Sequence, residues 1–210
     1  MKRILNYKTF INESSGASTL TPEQIEFLDD HVKGYWNLND EGVVDVYGDF
    51  DCFNKGLSDF KGIVFGKVDG DFDYSHNNLS SLEGAPKEVT GHFDCSYNNL
   101  TSLKGSPKKV GLSFYCSHNK LTSLEGCPKE VGEVFYLVRN EGVSPEILKL
   151  IFSKMIESKS DYKTALKSLW KDIPIEDKVL LYTPDLDWIE EDEAAKLAKL
   201  KKYSNIKKMI

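Results

Sequence analysis

The sequence predicts a short α/β solenoid followed by a separate helical segment. Three observations carry this. Phe72, Phe93, Phe114 and Phe135 recur at a constant step of 21 residues. Six further columns keep that step: Asn77, Asn98, Asn119 and Asn140; Leu79, Leu100 and Leu121; Leu82, Leu103 and Leu124; Gly84, Gly105 and Gly126; Pro86, Pro107 and Pro128; Val89, Val110 and Val131. A fixed period in this range marks an architecture in which each unit buries its apolar face against its neighbours. After Gly142 the apolar spacing changes to that of an amphipathic helix.

Residues 1–20 read as a tail. Ile4, Tyr7, Phe10 and Ile11 share one helical face, with Lys2, Arg3 and Lys8 as its basic groups. The stretch is too polar for a secretory signal, which needs an uninterrupted apolar core. Ser14-Ser15-Gly16-Ala17-Ser18 reads as a flexible linker. Residues 21–47 read as an N-terminal cap over the first repeat. Thr21-Pro22-Glu23-Gln24 is a capping box with proline at the first helical position. The helix is predicted to reach about Val32, with Ile25 and Leu28 inward. Trp36-Asn37-Leu38 and Gly42–Val46 then read as a strand pair.

The solenoid is placed at residues 48–141. Its clearest unit is Phe93-Asp94-Cys95-Ser96-Tyr97-Asn98-Asn99-Leu100-Thr101-Ser102-Leu103. Phe93 and Cys95 are two apart, so they share the inward face of a strand and leave Asp94 outward. Leu100 and Leu103 turn back into the core. Gly105 and Pro107 shape the return, and Val110 closes the unit. Upstream, Gly48–Cys52 matches Gly70–Tyr74, with Lys55-Gly56 where the later units have Asn-Asn. The last unit keeps Phe135 and Asn140 but loses the Leu-Thr-Ser-Leu run. Atypical end units are what closing a solenoid requires.

Residues 142–210 read as helical. Ser144 can cap a helix with Pro145 at its first position and Ile147, Leu148, Ile151 and Met155 as a stripe. Ser160 starts a second, with Tyr162, Leu166, Leu169, Trp170 and Ile173 on one face, stopped by Pro174. Ile175–Tyr182 is a short third. The last runs from about Glu190 to Tyr203. Its acidic start and basic end complement the helix dipole, which accounts for Lys199, Lys201 and Lys202 without a ligand. Trp170 and Trp188 are expected in the core.

The repeating F-x-C-x-x-N-x-L-T-S-L resembles the leucine-rich repeat, with Phe for its first leucine and Cys or Tyr for its second. The N-x-L-T-S-L run looks like the short bacterial units of that family. The resemblance covers roughly residues 45–140. It implies a parallel sheet on the concave face and an Asn whose side chain bonds backbone groups of adjacent turns. The opening peptide and the S-L-E-G-x-P-K-E-V dialect resemble uncharacterised proteins of large T4-like tailed phages. Internal head proteins of such phages carry a targeting peptide cut after Leu/Ile-x-Glu. Ile11, Glu13 and Ser14 would supply that cut here. That likeness implies a place in the host cytoplasm or the virion head. An ordinary N-terminal helix is the other reading of residues 1–13.

Composition narrows the function. The net charge of -6 argues against general nucleic-acid binding. No run approaches the roughly 18 apolar residues that span a bilayer, so no membrane role is expected. Cys52, Cys95 and Cys116 fall in the inward column and read as small core residues, reduced inside a cell. His76 and His118 share a repeat column with Tyr97, so their spacing follows the repeat. No nucleophile elbow, phosphate-binding loop or zinc-protease motif is present. The chain is therefore expected to be non-enzymatic, with no cofactor and no metal. Asp69-Gly70-Asp71-Phe72-Asp73 lacks the rest of a calcium loop.

The outward strand positions are the candidate site. They hold Asp49 and Asp51, Asp71 and Asp73, His92 and Asp94, then Ser113 and Tyr115, then Val134 and Tyr136. Such a face would grip a protein partner through a basic segment, with the tyrosines as anchors. The plain alternative is a solvated strand face. The oligomeric state is left open, since solenoid edges can also pair copies.

Overall fold

The computed structural model describes residues 20–122, 124–137, 139–140, 144–158, 160, 162–181 and 186–207. The chain forms a parallel-sheet solenoid of about four turns, with helices before and after it.

Helix α1 (Pro22–His31) opens on the capping box. Thr21 Oγ1 accepts the Gln24 N–H, and Gln24 Oε1 accepts the Thr21 N–H. It ends one residue before Val32, which is extended and begins strand β1 (Val32–Leu38). β1 pairs antiparallel with β2 (Val44–Asp51), in register from Val32 opposite Phe50 to Leu38 opposite Val44. Both strands outrun the apolar pattern. Lys33-Gly34-Tyr35 and Tyr47-Gly48-Asp49 are held by ladder bonds rather than by burial, and Tyr35 stacks on Tyr47 at 4.5 Å. β2 runs unbroken through residues 47 and 48 into the first turn.

Each later turn supplies two short strands. In the first row, the C-terminal part of β2 is followed by β4 (Phe72–Asp73), β6 (Phe93–Asp94), β8 (Phe114–Tyr115) and β10 (Phe135–Tyr136), all parallel. In the second row, the start of β2 is followed by β3 (Phe65–Val68), β5 (Glu88–Val89), β7 (Lys109–Val110) and β9 (Glu130–Val131). The valine column that the sequence reading places at the end of each unit is therefore itself a strand row.

Register makes like stack on like. Phe50, Phe72, Phe93, Phe114 and Phe135 form a buried spine with centroids 4.9 to 5.5 Å apart. Each such contact is worth about 0.5–1.5 kcal/mol beyond area burial. The Asn ladder closes the neighbouring corner. Asn98 Oδ1 accepts the Leu79 N–H at 2.8 Å, and its Nδ2 donates to the carbonyls of Tyr74, Cys95 and Ser96. Asn77 and Asn119 repeat this one turn either side. The ladder satisfies buried backbone groups that no strand reaches. Gly105 makes the return turn at φ +90, where a Cβ would stand 2.6 Å from the Leu82 carbonyl oxygen.

The C-terminal helices are α2 (Pro145–Ser158), α3 (Tyr162–Leu169), a 3-10 turn (Trp170–Asp172), α4 (Ile175–Leu181) and α5 (Glu191–Lys207). Ser144 Oγ accepts the Ile147 N–H, and the Ser144 N–H is taken by Asp177. Phe152 of α2 stacks on Phe135 at 4.1 Å, extending the spine by one ring, and Met155 meets Cys127. Trp170 packs edge-on against Trp188 and donates to Glu193, which also pairs with Lys178. α5 runs past the expected Tyr203 to Lys207. Among the described residues no helix is long and apolar enough to cross a membrane.

Candidate functional site

The first strand row carries the outward residues on a fixed backbone. Asp51, Asp73, Asp94, Tyr115 and Tyr136 are direct register partners and form one column. Tyr115 and Tyr136 stack at 4.9 Å, and Tyr136 is exposed. Each carboxylate of this column is tied to its own turn through Oδ1. Asp51 accepts the Phe53 N–H, Asp73 the Ser75 N–H and hydroxyl, and Asp94 the Ser96 N–H. Asp51 Oδ2 also pairs with Lys33 Nζ at 2.7 Å.

Asp49, Asp71 and His92 form a second column with another purpose. Asp49 Oδ1 accepts the Asp71 N–H, Asp71 Oδ1 accepts the His92 N–H, and His92 Nδ1 accepts the Ser113 N–H at 3.2 Å. Each side chain thus bonds its own equivalent in the next turn, across the bend between the two strand rows. Gly91 allows the approach, since a Cβ there would fall on Asp71 Oδ1 and the Gly70 carbonyl. Ser113 departs from the expected outward placement. It is buried, its N–H taken by His92 and its hydroxyl donated to Glu133.

The column is electrostatically uneven. The Lys33 ammonium, helped by the Phe53 N–H, holds the Asp51 carboxyl below its ordinary range. Burial pushes the Asp94 carboxyl up, against the pull of the Ser96 N–H. The charge of Asp73 adds to that rise and His76 opposes it. Among the described residues the carboxylate stack has one ion-pair partner, Lys33 at its N-terminal end, and none at Asp94.

The structure also builds a row that sequence reasoning assigned to the repeat alone. Asn54, His76, Tyr97, His118 and Arg139 all have φ between 54 and 56, in the left-handed region. His76 stacks on Tyr97 at 4.1 Å and Tyr97 on His118 at 3.9 Å, while Phe53 meets His76 edge-on. A visible hint is Asn54, the residue type that tolerates this conformation, at the head of the column.

Cys52, Cys95, Cys116 and Cys127 are unpaired and buried. Burial raises all four thiols, Cys127 to about 12, which disfavours the thiolate a nucleophile needs. Among the described residues no three His, Cys, Asp or Glu side chains converge to hold a metal ion. Ile11, Glu13 and Ser14 lie outside the described residues. Comparison with known proteins finds no matching family model, no matching curated protein and no matching solved structure.

Proposed function

We propose that this chain is a non-catalytic, phage-encoded protein-binding module of the leucine-rich-repeat type, acting in the host cytoplasm. The Asp51–Tyr136 column would form its concave recognition face, and a basic segment of a partner protein would lie along it. In this reading α1 and β1 cap one end of the solenoid and α2 the other. The observation that carries the proposal is the register: three carboxylates and two stacked tyrosines in one line on one strand row. Each carboxylate bonds its own turn through Oδ1, and only Asp51 has an ion-pair partner among the described residues. A cationic side chain beside Asp94 would offset the desolvation that burial imposes there. Tyrosine supplies amphipathic contact area at low entropic cost.

The test is a binding screen of the intact chain against an array of Lys/Arg-rich and Asp/Glu-rich peptides. Basic peptides should bind, with affinity falling as salt rises. Asp73→Asn with Tyr136→Ala should weaken the best binder about tenfold or more. Equal binding of acidic peptides, or an unaffected double variant, overturns the reading.

A further inference from the structure

The solenoid corner beside the left-handed row forms an open groove of about 430 Å³. One wall is Tyr97, His118 and Arg139; the other is Asn99 and Lys120. Its floor is the Asn ladder, whose amides are spent on the backbone: Asn98 and Asn119 each bond carbonyls of two turns. Selectivity therefore rests with the walls. They offer a guanidinium, an ammonium, a phenol, an imidazole and a carboxamide, and no carboxylate. Neither Lys120 nor Arg139 makes an ion pair among the described residues. In a chain of net charge -6 this is a basic groove whose two cations have no ion-pair partner among the described residues.

The backbone argues in the same direction. A bulky residue in the left-handed region costs about 1–2 kcal/mol, which Gly or Asn there largely avoids. Asn54 shows that the column accepts the cheaper residue. Tyr97, His118 and Arg139 nonetheless occupy it, and Tyr97 is held there by its stack on His118 and by its N–H bond to the Ser117 carbonyl. Strain held by its surroundings is a known mark of working side chains.

We propose that this corner groove is a binding site for a phosphate monoester group. The Arg139 guanidinium offers a planar fork for two phosphate oxygens, and Lys120 a point charge for a third. Tyr97, His118 and Asn99 line the same groove and add a phenol, an imidazole and an amide that can donate hydrogen bonds to the phosphate group. The site uses none of the residues of the acidic column, so it stands or falls separately from the proposed partner face.

Calorimetry and amide chemical-shift titration of the intact chain decide it, with inorganic phosphate, O-phosphoserine and phenyl phosphate as probes and chloride as background. Saturable binding of at least one of the two esters is expected, with shifts centred on Asn99, His118 and Lys120. The double variant Lys120→Gln, Arg139→Gln should weaken it by about a hundredfold, and Lys108→Gln should not change it. Arg139→Lys should retain part of the affinity and exclude a folding defect as the cause. Binding of an ester supports the proposal and places the group on a larger molecule; binding of free phosphate with neither ester bound overturns it. Absence of saturation at millimolar probe, or equal binding by the double variant, overturns the proposal.

Discussion

Asp94 and Asp51 occupy one column and are pushed in opposite directions, which gives them opposite effects on stability. Burial raises the Asp94 carboxyl, so the folded state holds its proton more tightly than the unfolded chain does. Its favourable contribution belongs to the protonated form and is lost as pH rises through the raised value. Asp51 is lowered by Lys33, so its contribution is present above the unfolded carboxylate range and is lost as pH falls through its lowered value. Asp94→Asn separates the two. The amide oxygen can still accept the Ser96 N–H, and the desolvated charge is gone. The variant should be more stable than the parent at neutral pH, by on the order of 1 kcal/mol in urea unfolding. That advantage should shrink as pH falls through the raised value and the parent carboxyl takes up its own proton. A variant less stable than the parent at neutral pH would mean that burial does not dominate at this position.

The elements differ in how much of them the sequence exposes, and the reason is range. The Phe spine, the Asn ladder and the outward Asp column each obey a period of 2 along a strand or of 21 between turns (22 at the first step), and such periods are read directly off the chain. The second strand row does not show in the sequence because β5, β7 and β9 are two residues long and β3 only four, too short for alternation to show. What makes them strands is a neighbour one turn away. The same range hides the use of Asp49 and Asp71, whose acceptor oxygens meet N–H groups 22 and 21 residues on. The left-handed row was visible as a column but not as a conformation, because His, Tyr and Arg give no local sign of positive φ. Helix α2 was legible from its own stripe, and its docking was not. The stripe of Ile147, Leu148, Ile151 and Met155 leaves out Phe152, four residues on from Leu148, yet Phe152 is the ring that meets Phe135. Phe152→Ala should therefore cost about 2–3 kcal/mol, the low end for a large buried ring because Phe152 is half-buried. Hydrogen exchange should quicken at Phe135 and Leu137 and stay unchanged at Phe50. Uniform quickening would show that the spine has no separable end.

At the scale of the molecule, identity between turns is a statement about energy. Every turn offers its successor the same Phe face and the same pair of strand edges, and from Asn77 onward the same Asn. Stability of such a stack approximates a sum over nearest-neighbour interfaces. Removing residues 91–111 joins Thr90 to Leu112, one repeat on. It places Phe114 on Phe72, Tyr115 beside Asp73, and Asn119 where Asn98 bonds the Tyr74 carbonyl and the Leu79 N–H. No end contact is touched: Phe27 still meets Phe50 and Phe152 still meets Phe135. The shortened chain should fold cooperatively, with a lower urea midpoint and a smaller m-value in keeping with the lost buried surface. It should also bind basic peptides less tightly, since the column is reduced to Asp51, Asp73, Tyr115 and Tyr136. A chain that fails to fold would show that the turns are not interchangeable and that particular residues of residues 91–111 hold the stack together. A shortened chain that folds and loses the phosphate probe would place the loss at Tyr97 and Asn99, the two wall residues that leave with the turn, while Lys120 and Arg139 remain.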